Sequence, residues 1–184
     1  MTVTPEQAQA VLQRADCLYS TEQVEQAIDR MAGEIDARLA GSNPILTCVM
    51  NGGLVPTGKL ATRLPFPLNM DYLHATRYRN TTSGGDLTWL ARPHMDLRGR
   101  VVLVVDDILD EGITLAAIMN YCREQGATEV YSAVLVEKRH ERKYGLKEAD
   151  FIGLQVEDRY VFGYGMDYKG FLRNAPGIYA VHGQ

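Results

Sequence analysis

The residues Asp106-Asp107-Ile108-Leu109-Asp110-Glu111-Gly112-Ile113-Thr114 follow directly on the aliphatic run Val101 to Val105 and precede a helical pattern from Leu115 to Gln125. A loop that feeds a helix start offers free backbone N–H groups and the positive end of the helix dipole, which suit a phosphate. Gly112 lets the main chain approach such a group closely, and the Thr114 hydroxyl adds a donor. Carboxylates beside an anion would repel it unless they face sugar hydroxyls, a divalent cation or a proton in transit. The chemistry implied is that of a ligand bringing phosphate, hydroxyls and magnesium together. Neither a Walker pattern nor a dinucleotide-binding glycine fingerprint is present in this segment. The competing reading is a solvated acidic turn, since carboxylates favour helix starts for structural reasons alone.

The surrounding chain supplies the elements that must hold this loop. Val101 to Val105 fits a central strand covered on both faces, and in open parallel sheets ligands bind at the carboxyl ends of such strands. Ile45 to Met50, between Asn43-Pro44 and Asn51-Gly52-Gly53, reads as a second buried strand meeting a tight loop, with a helix from about Leu54 to Leu64 after it. Leu68 to Arg77, Leu87 to Ala91 and Val130 to Val136 read as further strands. Asn80 to Asp86, polar and glycine-bearing with almost nothing to bury, is expected to be a mobile loop. Ser20-Thr21-Glu22-Gln23 matches a capping box, followed by apolar residues at helical spacing from Val24 to Leu39 and a stop at Gly41. An earlier helix is expected from Thr4-Pro5 to about Cys17, and the tail from Asp150 is expected to form short strands and loops around the sheet. Alternation of strand and helix predicts an α/β domain with a largely parallel sheet, with residues 1–184 forming one unit.

Composition narrows the classes. A formal charge of −4 argues against a protein whose main task is wrapping nucleic acid. No apolar run approaches the ~20 residues that span a bilayer, and the first residues lack the pattern of a signal peptide; a cytoplasmic protein with no membrane partner is expected. Cys17, Cys48 and Cys122 form no ligand pair and are expected to be buried or half-buried apolar residues. His74, His94, His140 and His182 are scattered without metal-ligand spacing and read as ordinary surface or core histidines.

The segment from Val101 to Thr114 resembles the phosphoribosyl pyrophosphate signature of type I phosphoribosyltransferases, in which two adjacent acids follow a hydrophobic strand and precede a short loop ending in threonine. The resemblance implies the fold of that family: a largely parallel sheet flanked by helices, with a small hood formed by terminal segments and a flexible loop. It also implies roles. Asp106 and Asp107 would hold the ribose 2′- and 3′-hydroxyls, Asp110 through Thr114 (Glu111, Gly112 and Ile113 between them) would enclose the 5′-phosphate, and Asp110 would handle the proton at purine N7. Further matches point to the hypoxanthine-guanine branch. Asn51-Gly52-Gly53 resembles the pyrophosphate-binding loop and Arg77 to Trp89 the loop that closes over the reaction. Lys138 matches a lysine that donates to the purine 6-oxygen, Tyr160 an aromatic ring that stacks on the base, and Val161 its neighbour with backbone contacts. Met166-Asp167-Tyr168 resembles the family's Leu-Asp-Tyr, with Asp167 near magnesium and pyrophosphate, and Arg173 matches an arginine on pyrophosphate. Asp106, Asp107 and Asp167 are thereby the implied magnesium ligands.

Taken singly, Lys138 in its basic run reads as solvated surface, and Tyr160 reads as core. The order of the whole set is what joins them. The chain also departs from the family: Asp106 stands where glutamate is common, Asn51 where lysine is frequent, and Glu111 and Ile113 where a small hydroxyl residue and a basic one are usual. Main-chain N–H groups serve at any residue type, so phosphate binding should survive these changes. The implied reaction is magnesium-dependent transfer of phosphoribosyl to hypoxanthine or guanine, by a homodimer or homotetramer. Two alternatives remain open from sequence: an enzyme of the same fold using xanthine or a pyrimidine, and a non-catalytic sensor of phosphoribosyl pyrophosphate that binds RNA or DNA.

Overall fold

The computed structural model describes residues 3–77 and 87–183. In chain order its elements are α1 (Pro5–Arg14), β1 (Asp16–Tyr19), α2 (Thr21–Leu39), β2 (Ile45–Val49), α3 (Leu54–Ala61), β3 (Asn69–Arg77), β4 (Leu87–Ala91), β5 (Val101–Leu109), α4 (Ile113–Glu124), β6 (Glu129–Arg139), β7 (Phe151–Glu157), β8 (Val161–Phe162) and β9 (Ile178–Ala180). The expected closing loop, Arg77 to Trp89, falls largely on residues 78–86, which lie outside the described residues.

A six-stranded sheet runs in the order β4-β3-β2-β5-β6-β7, parallel throughout except for β4, which pairs antiparallel with β3. The aliphatic run of β5 explains its place near the centre. Leu103 and Val105 face one core together with Ile28, Met31, Ile35 and Leu60 of α2 and α3, whereas Val102 and Val104 face another with Leu115, Ile118 and Cys122 of α4. Both faces of the run Val102 to Val105 are thus buried, and apolar side chains are required at each of its positions. The crossovers from β2 through α3 to β3 and from β5 through α4 to β6 diverge from the adjacent pair β2 and β5. At such a divergence the loops leaving the two strands part, and a crevice opens between them.

The two chain ends build a separate three-stranded antiparallel sheet, β1-β9-β8, beside that crevice. Here the fold differs from the sequence reading. Helix α1 ends at Arg14, and Asp16 to Tyr19 is a strand, pairing Asp16 with Ala180, where a helix continuing to about Cys17 was expected. Phe151 to Glu157 is a full strand of the main sheet, parallel to β6. Cys17 is exposed on the short sheet while Cys48 and Cys122 are buried. Among the described residues no helix is long and apolar enough to cross a membrane.

Candidate active site

Strand β5 extends to Leu109, so Asp106 and Asp107 stand on the strand itself, Asp106 paired with Val134 of β6 and Ile108 with Val136, and only Asp110, Glu111 and Gly112 form the loop. Their carboxylates reach the crevice because the strand outlasts its neighbour β2, which ends at Val49 and turns away through a cis Met50–Asn51 peptide. Two glycines make this close packing possible. A Cβ on Gly52 would collide with the Asp107 carboxylate. Gly112, the residue before α4, has φ +75°, and a Cβ there would strike the Leu146 carbonyl. No side chain caps α4 or α3. The first-turn N–H groups of α4 are therefore left for the cleft, where Gly112, Ile113 and Thr114 line the wall.

The cleft has a volume of about 500 Å³. Asn51 and Gly52 form one side, Asp106 to Thr114 the other, and Asp167 and Arg173 from the hood side close it. Gly53 lies behind the surface, buried against the Val49 and Val105 carbonyls. Burial and the adjacent Asp107 charge push the Asp106 carboxyl well above its ordinary pKa. Burial likewise raises Asp107, against the opposing pull of hydrogen bonding with Asp106 and the Arg173 guanidinium. Arg173 Nη2 lies 2.7 Å from Asp167 Oδ1, its Nη1 donates to the Gly165 carbonyl at 2.6 Å, and the same Nη1 lies 3.8 Å from Asp107 Oδ2. One guanidinium thus stands between two carboxylates on different elements. A neighbouring acidic pair that resists double ionisation is the donor set expected of a site that receives a cation or sugar hydroxyls.

A second recess of about 200 Å³ adjoins the cleft and shares Asp107, Ile108, Asp110 and Asp167 with it. Lys138, Tyr160, Val161 and Met166 complete its lining. Lys138 is the penultimate residue of β6, its side chain 13% exposed, with Nζ 3.2 Å from Asp110 Oδ2 and 3.7 Å from Asp158 Oδ1. The Tyr160 ring is partly open and braced edge-on by Tyr168, with centroids 5.6 Å apart. His140, read from sequence as an ordinary histidine, places Nε2 2.6 Å from Asp110 Oδ1. Burial would raise Asp110, but the His140 hydrogen bond and the Lys138 charge outweigh it and hold the carboxyl below its usual range. Asp110, His140 and Asp158 bring ligand atoms within 4.8 Å of one another, the one such triplet among the described residues. It does not suit a metal ion, because the Lys138 ammonium already contacts both carboxylates. Asp106, Asp107 and Asp167 are not gathered in this way, Asp167 being joined to Asp107 through Arg173.

A family profile for the phosphoribosyl transferase domain matches residues 14–169. The chain belongs to the phosphoribosyltransferase family. It is 32% identical over 161 residues to the hypoxanthine-guanine-xanthine phosphoribosyltransferase of Tritrichomonas foetus, covering 88% of each chain. It is 30% identical over 162 residues to the hypoxanthine-guanine phosphoribosyltransferase of Bacillus subtilis, covering 88% of this chain and 89% of that one. A crystal structure of a hypoxanthine-guanine phosphoribosyltransferase from Bacillus anthracis superposes with TM-score 0.85 at 27% identity, over 90% of this chain and 98% of that one. A hypoxanthine phosphoribosyltransferase from Staphylococcus aureus gives TM-score 0.87 at 22% identity over 94% of both chains, a likeness of fold. These relatives place this phosphoribosyltransferase on the hypoxanthine-guanine branch.

Except for Gly53, the site residues named from sequence line the two recesses of this phosphoribosyltransferase. His140 and Asp158 were missed. His140 meets Asp110 across 30 positions and two strands, and nothing in the local run Lys138-Arg139-His140 distinguishes it from solvated surface.

Proposed function

We propose that this phosphoribosyltransferase transfers the 5-phosphoribosyl group of phosphoribosyl pyrophosphate to N9 of hypoxanthine or guanine, releasing pyrophosphate. The observation that supports this most is the convergence of Asp110, Lys138 and Tyr160 on a recess opening into the acidic, helix-capped cleft. In this reading the N–H groups of Gly112 to Thr114 and the Thr114 hydroxyl bind the 5′-phosphate, with Glu111 contributing its main chain. Asp106 and Asp107 accept hydrogen bonds from the ribose hydroxyls. Asn51, Gly52 and Arg173 face the pyrophosphate, with Gly53 packed behind them.

As the N9–C1′ bond forms, the C1′–oxygen bond breaks and its electron pair leaves with pyrophosphate. Arg173 can turn from the carboxylates toward that growing negative charge. Asp110 accepts the N7 proton as positive charge spreads through the purine, and Lys138 donates to the 6-oxygen. Adenine would set its amino group against that ammonium, two donors facing each other, so 6-oxopurines are selected. Tyr160 stacks on the ring. Magnesium fits the acidic pair Asp106 and Asp107, with Asp167 near, and would neutralise charge on the donor; the dispersed carboxylates suit an ion that arrives with substrate oxygens. The exposed apolar residues Leu54, Met70 and Tyr72, around a concavity that includes Cys48, support a homodimer or homotetramer; sedimentation as a monomer would count against it.

Incubating the protein with magnesium, phosphoribosyl pyrophosphate and, separately, hypoxanthine, guanine, xanthine and adenine should yield nucleotide from the first two. Conversion of none would defeat the enzyme reading in favour of a binding protein. Xanthine is included because the Tritrichomonas foetus relative is named for all three 6-oxopurines. Asp110→Asn should lower turnover about 10²-fold or more, the scale of general base loss, with donor binding retained.

A further inference from the structure

His140 follows β6 immediately, and its side chain is 7% exposed. Its two ring nitrogens have different partners. Nδ1 accepts the Arg142 backbone N–H at 3.1 Å, which occupies that lone pair, so the hydrogen-bond network assigns the ring proton to Nε2. Nε2–H then donates to Asp110 Oδ1 at 2.6 Å, within the short range of bonds to an ionised acceptor. The other carboxylate oxygen, Oδ2, is held by Lys138 Nζ at 3.2 Å. Lys138 and His140 therefore divide the two oxygens of one carboxylate between them.

The two partners differ in what a purine would do to them. Lys138 stands on the wall of the base recess, and in the function proposed above its ammonium turns to the purine 6-oxygen, which releases Oδ2. His140 is not on that wall and has no reason to move, because its other nitrogen is tied to the Arg142 main chain. When the base enters, Oδ1 stays anchored and Oδ2 is the oxygen left to face N7.

We propose that His140 is a positioning residue for this chemistry: its Nε2–H holds Asp110 Oδ1, so that the carboxylate presents Oδ2 to the N7 proton of the purine in one fixed orientation. The role rests on the proton-handling reading of Asp110 and goes beyond it by naming what aims the carboxylate. An orienting partner of this kind acts without touching substrate, as second-layer hydrogen bonds do for metal-bound histidines and catalytic imidazoles. The charged groups around the pair are Lys138, then Asp158 at 3.7 Å from Lys138, Arg142 at 2.7 Å from Asp158, and Lys143, which donates to the Leu109 carbonyl at 3.2 Å and lies 3.6 Å from Glu137. The bond from His140 is one of the interactions that hold the Asp110 carboxyl low against its burial. Loss of that bond must therefore move Asp110 toward binding its proton at higher pH.

The test compares His140→Leu, which removes the donor, with His140→Gln, whose amide N–H can reach the same oxygen, both in the full chain with magnesium and saturating phosphoribosyl pyrophosphate. His140→Leu should lower kcat for hypoxanthine about tenfold or more, the usual scale for lost orienting partners. The acid limb of kcat/KM for hypoxanthine should move to higher pH, and KM for phosphoribosyl pyrophosphate, measured separately at saturating hypoxanthine, should stay put. His140→Gln should recover most of the rate. Equal losses in both variants at every pH, with the limb unmoved, would reduce His140 to packing and overturn the proposal, as would wild-type kcat in His140→Leu. Should the leucine variant fail to fold, wild-type behaviour of the shorter His140→Asn overturns the proposal, and loss there with recovery in His140→Gln supports it. Asp110→Asn measured in parallel separates the two readings. Full turnover there defeats proton handling by Asp110, whereas loss there with a normal His140→Leu defeats the role of His140 alone.

Discussion

Helices α1 and α2 begin in one way, and α3 and α4 in another. Thr4 with Gln7, and Ser20 with Gln23, form complete capping boxes at α1 and α2, and Glu6 and Glu22 add a carboxylate to each first turn. Helices α3 and α4 start at Gly53 and Gly112 with no side-chain cap and no acid in the first turn. The first pair caps its own start with side chains; of the second, α3 turns its first N–H groups to the Val49 and Asn51 carbonyls, and α4 leaves its first turn lining the crevice. The site is thus a place where local stabilisation has been withheld, and other contacts must hold those helices. For α3 the contacts are visible. Glu25 of α2 meets Lys59 of α3 at 2.6 Å and Arg63 just beyond it at 2.5 Å, and accepts the Tyr164 hydroxyl at 2.5 Å.

The sharpest way to break the contrast is at Gly112. Gly112→Ala forces a side chain onto φ +75° and against the Leu146 carbonyl, so about 2–4 kcal/mol of stability should be lost by urea unfolding, together with calorimetric binding of phosphoribosyl pyrophosphate. Normal donor binding in a folded Gly112→Ala protein would show that the uncapped start of α4 does not hold the phosphate. The contacts behind α3 offer a smaller effect. Partial burial works against the ionised Glu25, yet its bonds from Lys59, Tyr164 and Arg63 hold the carboxyl down at about 2. A depressed carboxyl stabilises the fold above its ordinary value near 4.5 and loses that contribution as pH falls toward 2. At about 1.4 kcal/mol per pKa unit, discounted for a partly solvated side chain, the loss should be roughly 2 kcal/mol. Unfolding measured across that range should show it, and Glu25→Gln should flatten it. The smallest effect is expected at a capped end: Ser20→Ala should cost about 1 kcal/mol and leave turnover unchanged. A turnover loss there would blur the division between structural and functional helix starts.

Much of this division was legible along the chain. The capping box at Ser20 is local, so four residues suffice to find it, and the strand–acid–glycine–threonine order of Val101 to Thr114 survives any uncertainty in the rest of the fold. The end of β5 was less legible. Asp106 and Asp107 look like loop because they are charged, yet they continue the strand because β6 extends alongside, pairing Asp106 with Val134. Strand β1 was missed for a related reason: Asp-Cys-Leu-Tyr has no strand signature of its own, and its partner β9 lies more than 150 residues further on. His140 shows the same limit within the site.

From sequence alone follow the α/β class and the acidic, glycine-bearing loop entering a helix, because period and glycine placement are properties of neighbouring residues; that Lys138, Tyr160, Asp167 and Arg173 go with that loop came from the family resemblance of the whole set. Only the tertiary structure decided that the recess of Lys138 and Tyr160 opens into the cleft of Asp106 to Thr114, that Arg173 bridges Asp107 and Asp167, and that His140 grips Asp110. Those are contacts between elements far apart in the chain, selected by sheet order and burial, and no local pattern encodes which distant partner a side chain will meet.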